Sequence, residues 1–94
     1  MLHHILVKWN DQVADKLAMA DRVRAVFAPA GSVPGVRRAM IKPNVVDRPN
    51  RYDLLIVLDM VPEALTAWDE SDIHKNWKAD FSSLIEKKAI FDCD

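Results

Sequence analysis

Five consecutive aliphatic residues, Leu54-Leu55-Ile56-Val57-Leu58, form the centre of a segment running from Tyr52 to Met60. The run is short, rich in branched side chains and closed off by Pro62, which reads as a strand. Successive residues of a strand point to opposite faces of its sheet. This strand is therefore apolar on both faces, and any fold that uses it must cover both.

The remaining elements supply cover for one face only. Leu2 to Trp9 alternates, with His3, Ile5, Val7 and Trp9 on one side and His4, Leu6 and Lys8 on the other, which predicts a first strand. Asn10 or Asp11 can cap a helix in which Val13, Leu17, Ala20, Val23 and Phe27 recur at helical spacing. Pro29, Gly31 and the turn Ser32-Val33-Pro34-Gly35 end it, and a second strand is expected from Val36 to about Ile41. The polar segment from Pro43 to Arg51 reads as a loop. Pro62 suits the first turn of a short helix with Leu65 and Trp68. Ser71 or Asp72 can cap another helix, with Ile73, Trp77, Phe81 and Leu84 along one face, and Lys88 to Cys93 forms a last strand.

The order is strand–helix–strand–strand–helix–strand. It specifies an α+β, ferredoxin-like βαββαβ domain over residues 1–94, a four-stranded antiparallel sheet with helices on one face. Leu6, Leu55 and Val57 then lie on the uncovered face, and the chain has no element left to bury them. A second copy of the same sheet, closing a dimeric α/β barrel across a two-fold axis, meets the need. A lone chain of this size buries only about 60–65% of its unfolded surface, so association also adds stability.

Composition removes several function classes. The formal net charge of −1 provides no general field for nucleic acid or an anionic membrane. The basic residues Arg37, Arg38, Lys42, Arg48 and Arg51 are interrupted by Asp47 and Asp53 and read as solvated surface. One cysteine, Cys93, permits neither an intrachain disulfide nor a thiolate metal cluster. The longest apolar run is far too short for a membrane span, and the opening residues lack a signal-peptide pattern. A soluble, cytoplasmic location is the expectation.

Two histidines carry the chemistry. His3 starts the first strand on its helix-facing side, and His74 lies beside the apolar stripe of the last helix, in register with Trp77 and Phe81. Imidazoles titrate near neutral pH, so a pair facing one cavity can move a proton on a bound ligand. Each can also merely pack and hydrogen-bond. Ile5, Val7, Trp68, Trp77 and Phe81 are the expected apolar walls for a small ligand, although Trp77 and Phe81 read more readily as ordinary core. Tyr52 fits the edge of the third strand. A metal site fits poorly: His3 and His4 point to opposite faces, and His74 has no second ligand at i+3 or i+4. No metal or cofactor is expected.

The segment His3-His4-Ile5-Leu6-Val7-Lys8-Trp9-Asn10-Asp11 resembles the first strand of the stress-responsive A/B barrel (Dabb) family of dimeric α+β barrels. That family opens with a His, several aliphatics, a Lys, an aromatic and an Asp, and spacing to Lys8 places His3 at the family His. Trp68 and His74, six residues apart, resemble the family's aromatic position followed by a second His. The family often has His-Pro-x-His there, whereas this chain has Ser71-Asp72-Ile73-His74. Ile90-Phe91-Asp92 is similar to the family's last strand. The resemblance implies a homodimer with a small-molecule cavity. In a plant polyketide cyclase of that family, the two histidines catalyse an intramolecular aldol condensation without metal or cofactor, assisted by a tyrosine. His3 and His74 take those positions, and Trp68 takes the tyrosine's, with an indole donor but no phenolic acid.

Three functions follow: a cofactor-free lyase or cyclase working by His-mediated proton transfer, a stress-related binder of small apolar or aromatic carbonyl compounds without turnover, and a structural dimerising module. A monooxygenase-like role is known on related dimeric barrels, and only the shared architecture points to it. For the first, His3 is expected as the neutral base. His74, beside the positive end of a helix dipole, is expected as a neutral N–H donor to a developing oxyanion.

Overall fold

A computed structural model describes residues 1–94. It contains strands β1 (Leu2–Trp9), β2 (Val36–Pro43), β3 (Leu54–Met60) and β4 (Ile85–Cys93), with helices α1 (Lys16–Phe27), α2 (Leu65–Glu70) and α3 (Asp72–Phe81). Short 3-10 turns at Ala28–Ser32, Pro62–Ala64 and Ser82–Leu84 join them. The strands form one antiparallel sheet in the order β2-β3-β1-β4. This is the ferredoxin-like α+β fold. No helix is long and apolar enough to cross a membrane.

The register separates the two faces. His3, Ile5, Val7 and Trp9 of β1 are buried under the helices, as are Leu54, Ile56, Leu58 and Met60 of β3. The core they form includes Val23 and Phe27 of α1, Trp68 of α2, and Ile73, Trp77 and Phe81 of α3. The other face carries His4 and Leu6 beside Val57 and Leu55, with Met40 and Phe91 flanking them on β2 and β4. No element of the chain packs across it, and Phe91 is 62% exposed.

Four boundaries differ from expectation. The helix predicted from Val13 begins at Lys16, where the Asp15 carboxylate accepts from the Ala18 backbone N–H. Val13 is buried ahead of the helix, and Leu17, expected in the core, is 67% exposed while Met19 takes the inward position. β2 runs on through Pro43 because β2 is an edge strand, where a missing N–H costs no ladder bond. Tyr52 lies outside β3, which begins at Leu54. β4 starts at Ile85 rather than Lys88: its register with β1 shifts between Lys8 and Trp9, and that irregularity breaks the alternation that would have revealed it.

Two local devices set the helix layer that carries the site. Ser71 caps α3, its hydroxyl accepting from the His74 backbone N–H at 3.2 Å while donating to the Trp68 carbonyl at 2.6 Å. It therefore joins the end of α2 to the start of α3. Gly35, at φ +85°, turns the chain into β2, and a Cβ there would lie 2.8 Å from Ala64 Cβ and Val61 Cγ2.

Candidate active site

Between β1 and the edge strand β4 on one side and α2 and α3 on the other lies an open cleft of about 520 Å³. The sheet lines it with His3, Ile5, Lys88, Ile90 and Asp92, and the helices line it with Leu65, Asp69, His74, Trp77 and Lys78. Strand alternation brings His3 and Ile5 to this wall from β1, and Lys88, Ile90 and Asp92 from β4, where His3 pairs with Asp92 and Ile5 with Ile90. His74 and Lys78 are one helical turn apart and reach it from α3. Both predicted histidines therefore open onto one cavity.

Each imidazole is fixed by its Nδ1. His3, 7% exposed, holds Nδ1 2.5 Å from Asp92 Oδ1, so that nitrogen carries the proton and donates to the carboxylate. His74 Nδ1 lies 3.0 Å from the Asp69 backbone carbonyl, which only accepts, so Nδ1 is again the protonated nitrogen. In both rings Nε2 is the nitrogen left for a ligand. Burial pushes the His74 pKa below its ordinary value of 6.5, against the opposing pull of the Asp69 carbonyl and carboxylate; Lys78 and Lys88 add to the lowering. The lowering favours the neutral ring of His74, in which Nε2 carries the lone pair. His3 has the partner suited to hold a positive charge, since Asp92 accepts its Nδ1–H in either protonation state.

The hydrogen bonds arrange the nitrogens differently from the expected N–H donor at His74: its Nδ1–H is spent on the Asp69 carbonyl, which leaves Nε2 as an acceptor. The N–H that can meet an oxyanion belongs to His3 when charged.

Of the predicted walls, Ile5 and Trp77 line the cleft. Val7 and Phe81 do not: Val7 is fully buried mid-strand, and Phe81 stacks on Trp77 with ring centroids 5.0 Å apart. Trp68 is fully buried behind the site, its ring 6.0 Å from that of His74 and 5.6 Å from Phe27. It backs the imidazole rather than facing a ligand, and its indole Nε1 is buried without a partner. Sequence reasoning passed over Asp92, Asp69, Lys78 and Lys88. Asp92 was legible in principle, because Lys88, Ile90 and Asp92 share one parity of the last strand.

No protein-family model matches the sequence, and no curated protein matches it. Solved structures match the fold. A dimeric protein of ferredoxin-like fold from Bacteroides fragilis superposes with a TM-score of 0.80 at 13% identity, covering 99% of this chain and 93% of that one. A hydroxynitrile lyase from Passiflora edulis gives 0.73 at 12% identity, covering 96% and 87%. A Dabb family protein with a ferredoxin-like fold from Mesorhizobium loti gives 0.65 at 12% identity, covering 99% and 93%. The fold thus places the chain in the ferredoxin-like α+β class. The Dabb structure shares this fold over nearly the whole chain.

Proposed function

We propose that this protein works as a homodimeric α/β barrel in which each protomer's cleft binds a small carbonyl compound and shuttles a proton on the carbon next to the carbonyl, as a cofactor-free lyase or cyclase. The observation carrying this reading is the convergence of His3 and His74 on one cleft, each with Nδ1 occupied and Nε2 free. His74 Nε2 takes the proton from the acidic C–H, and the electron pair of that bond moves into the carbonyl to give an enolate. Charged His3 donates its Nε2–H to the enolate oxygen, while Asp92 holds the ring in place and compensates its charge. The enol carbon then attacks a second carbonyl carbon: the enol O–H returns its proton to His3 as the first carbonyl re-forms, and protonated His74 gives its proton to the new alkoxide, the lyase direction being these steps in reverse. Asp92 is a positioning residue and His3 and His74 are the catalytic pair. Ile5, Ile90 and Trp77 give the apolar wall.

A protein of the same fold from Passiflora edulis is a hydroxynitrile lyase. The test is deuterium exchange at the α-carbon of 4-acetylbenzoate, followed by NMR in D2O. Exchange should fall by roughly 10²–10⁴-fold in His74→Ala and His3→Ala, with ligand binding largely kept. Binding to the wild type without exchange would assign the protein to the non-catalytic binders instead.

A further inference from the structure

We infer that the ligand of this cleft carries a carboxylate as well as its carbonyl, and that Lys78 and Lys88 hold that carboxylate from opposite walls. This rests on the cleft being the ligand site, as proposed above, and adds the substrate class. Lys78 projects from α3 one turn after His74, and Lys88 projects from β4 on the same face as Ile90 and Asp92. Neither ammonium makes a salt bridge or a side-chain hydrogen bond, whereas Lys16, Arg24 and Arg37 each pair with an aspartate. The cleft holds two carboxylates of its own. Asp92 is taken by His3, and Asp69 lies beyond ion-pair distance of either lysine.

Lys78 and Lys88 are exposed cations on opposite walls of the cleft, and an anion between them can pair with both. Both lie near enough to His74 to disfavour its charged form, so an anion bound there sits beside the reacting imidazole. The apolar floor of Ile5, Ile90 and Trp77 takes the body of the ligand, the imidazoles its carbonyl, and the lysines its acid group. A keto acid, aliphatic or aromatic, matches all three.

The experiment compares 4-acetylbenzoate with 4-acetylbenzamide, which share a shape and differ by one charge, by titration at low salt with the histidine ring resonances as readout. The acid should bind roughly 3- to 30-fold tighter than the amide, the advantage expected of two partly exposed charge pairs. Lys78→Gln and Lys88→Gln should each remove part of that preference, and the double variant all of it, while the amide's Kd stays within about twofold. Raising the salt should compress the preference in the wild type alone. Equal binding of acid and amide, or lysine variants that weaken both equally, overturns the carboxylate clamp. Should exchange at the α-carbon still depend on His74 in that case, the proton-transfer reading stands without it. A lysine-dependent preference for the acid with no exchange supports the clamp and overturns proton transfer. If neither compound shifts the histidine signals at millimolar concentration, the cleft is not the ligand site and both readings fall.

Discussion

At the scale of the residue, the decisive contrast lies between two histidines that sequence position makes look alike. One donates to a carboxylate, the other to a main-chain carbonyl, and burial lowers the pKa of the second. That difference has a consequence for stability. His74 binds a proton more weakly in the folded chain than in the unfolded one, whose value is near 6.5. Between the two values the unfolded state holds more protons, so this contribution to stability is present above about pH 6.5 and declines as pH falls through the window, then levels off. Replacing the ring with an amide removes this proton linkage. Thermal melts of the wild type and His74→Gln from pH 7.5 to pH 5 should therefore show the wild type's advantage shrinking toward acid. A pH-independent gap would show that His74 is not the group held neutral. Catalytic exchange should lose rate on the same acid side, because a protonated His74 has no lone pair to act as base.

Among the elements, what was legible followed from alternation and helical spacing. The outer limits of β1, the αR entry of α3 after Ser71 and the placement of His3 on the helix-facing side all come from local pattern. That pattern turns both histidines toward the layer between sheet and helices, but that they open onto one cleft is seen only in the structure. Three further features were not legible. Leu17 fits a helical stripe drawn from Val13, but the helix starts three residues later and rotates Leu17 outward. The first half of β4 is polar and irregular in register, so only Lys88 onward shows a strand period. The role of His74 depends on where the Asp69 carbonyl ends up, a main-chain detail that no side-chain pattern encodes. Two substitutions test the elements themselves. Ser71→Ala removes the α3 cap and should cost about 1 kcal/mol in a urea titration, with disturbed His74 signals because its N–H loses its acceptor. Gly35→Ala meets both a positive φ and a 2.8 Å approach to Val61 and Ala64, and should cost roughly 1–3 kcal/mol. A variant as stable as the wild type would mean that the turn into β2 can relax.

For the whole molecule, the question is what covers the second face of the sheet. Leu6, Met40, Leu55, Val57 and Phe91 form an apolar patch there, with Lys8, Arg38, Lys42 and Lys87 around it. An uncovered, largely apolar sheet face invites association, and a like copy offers the matching shape across a two-fold axis. The wild type should run at twice the chain mass of 10.7 kDa in size-exclusion with light scattering at micromolar concentration. Leu55→Asp is the sharper probe of the two central positions. Val57 is only 5% exposed within a single chain, so a carboxylate there would unsettle the fold itself. Leu55 is half-buried and lies directly across from Lys42, which gives a new carboxylate a cross-strand partner in the separated protomer. Between two facing sheets the same carboxylate is removed from water, at a cost of several kcal/mol, roughly the range that separates a micromolar dimer from a monomer. Leu55→Asp is therefore expected as a folded monomer, with unchanged far-ultraviolet circular dichroism and half the wild-type mass. A wild type that is already monomeric, or a variant that stays dimeric, would mean that something other than a second sheet covers this face.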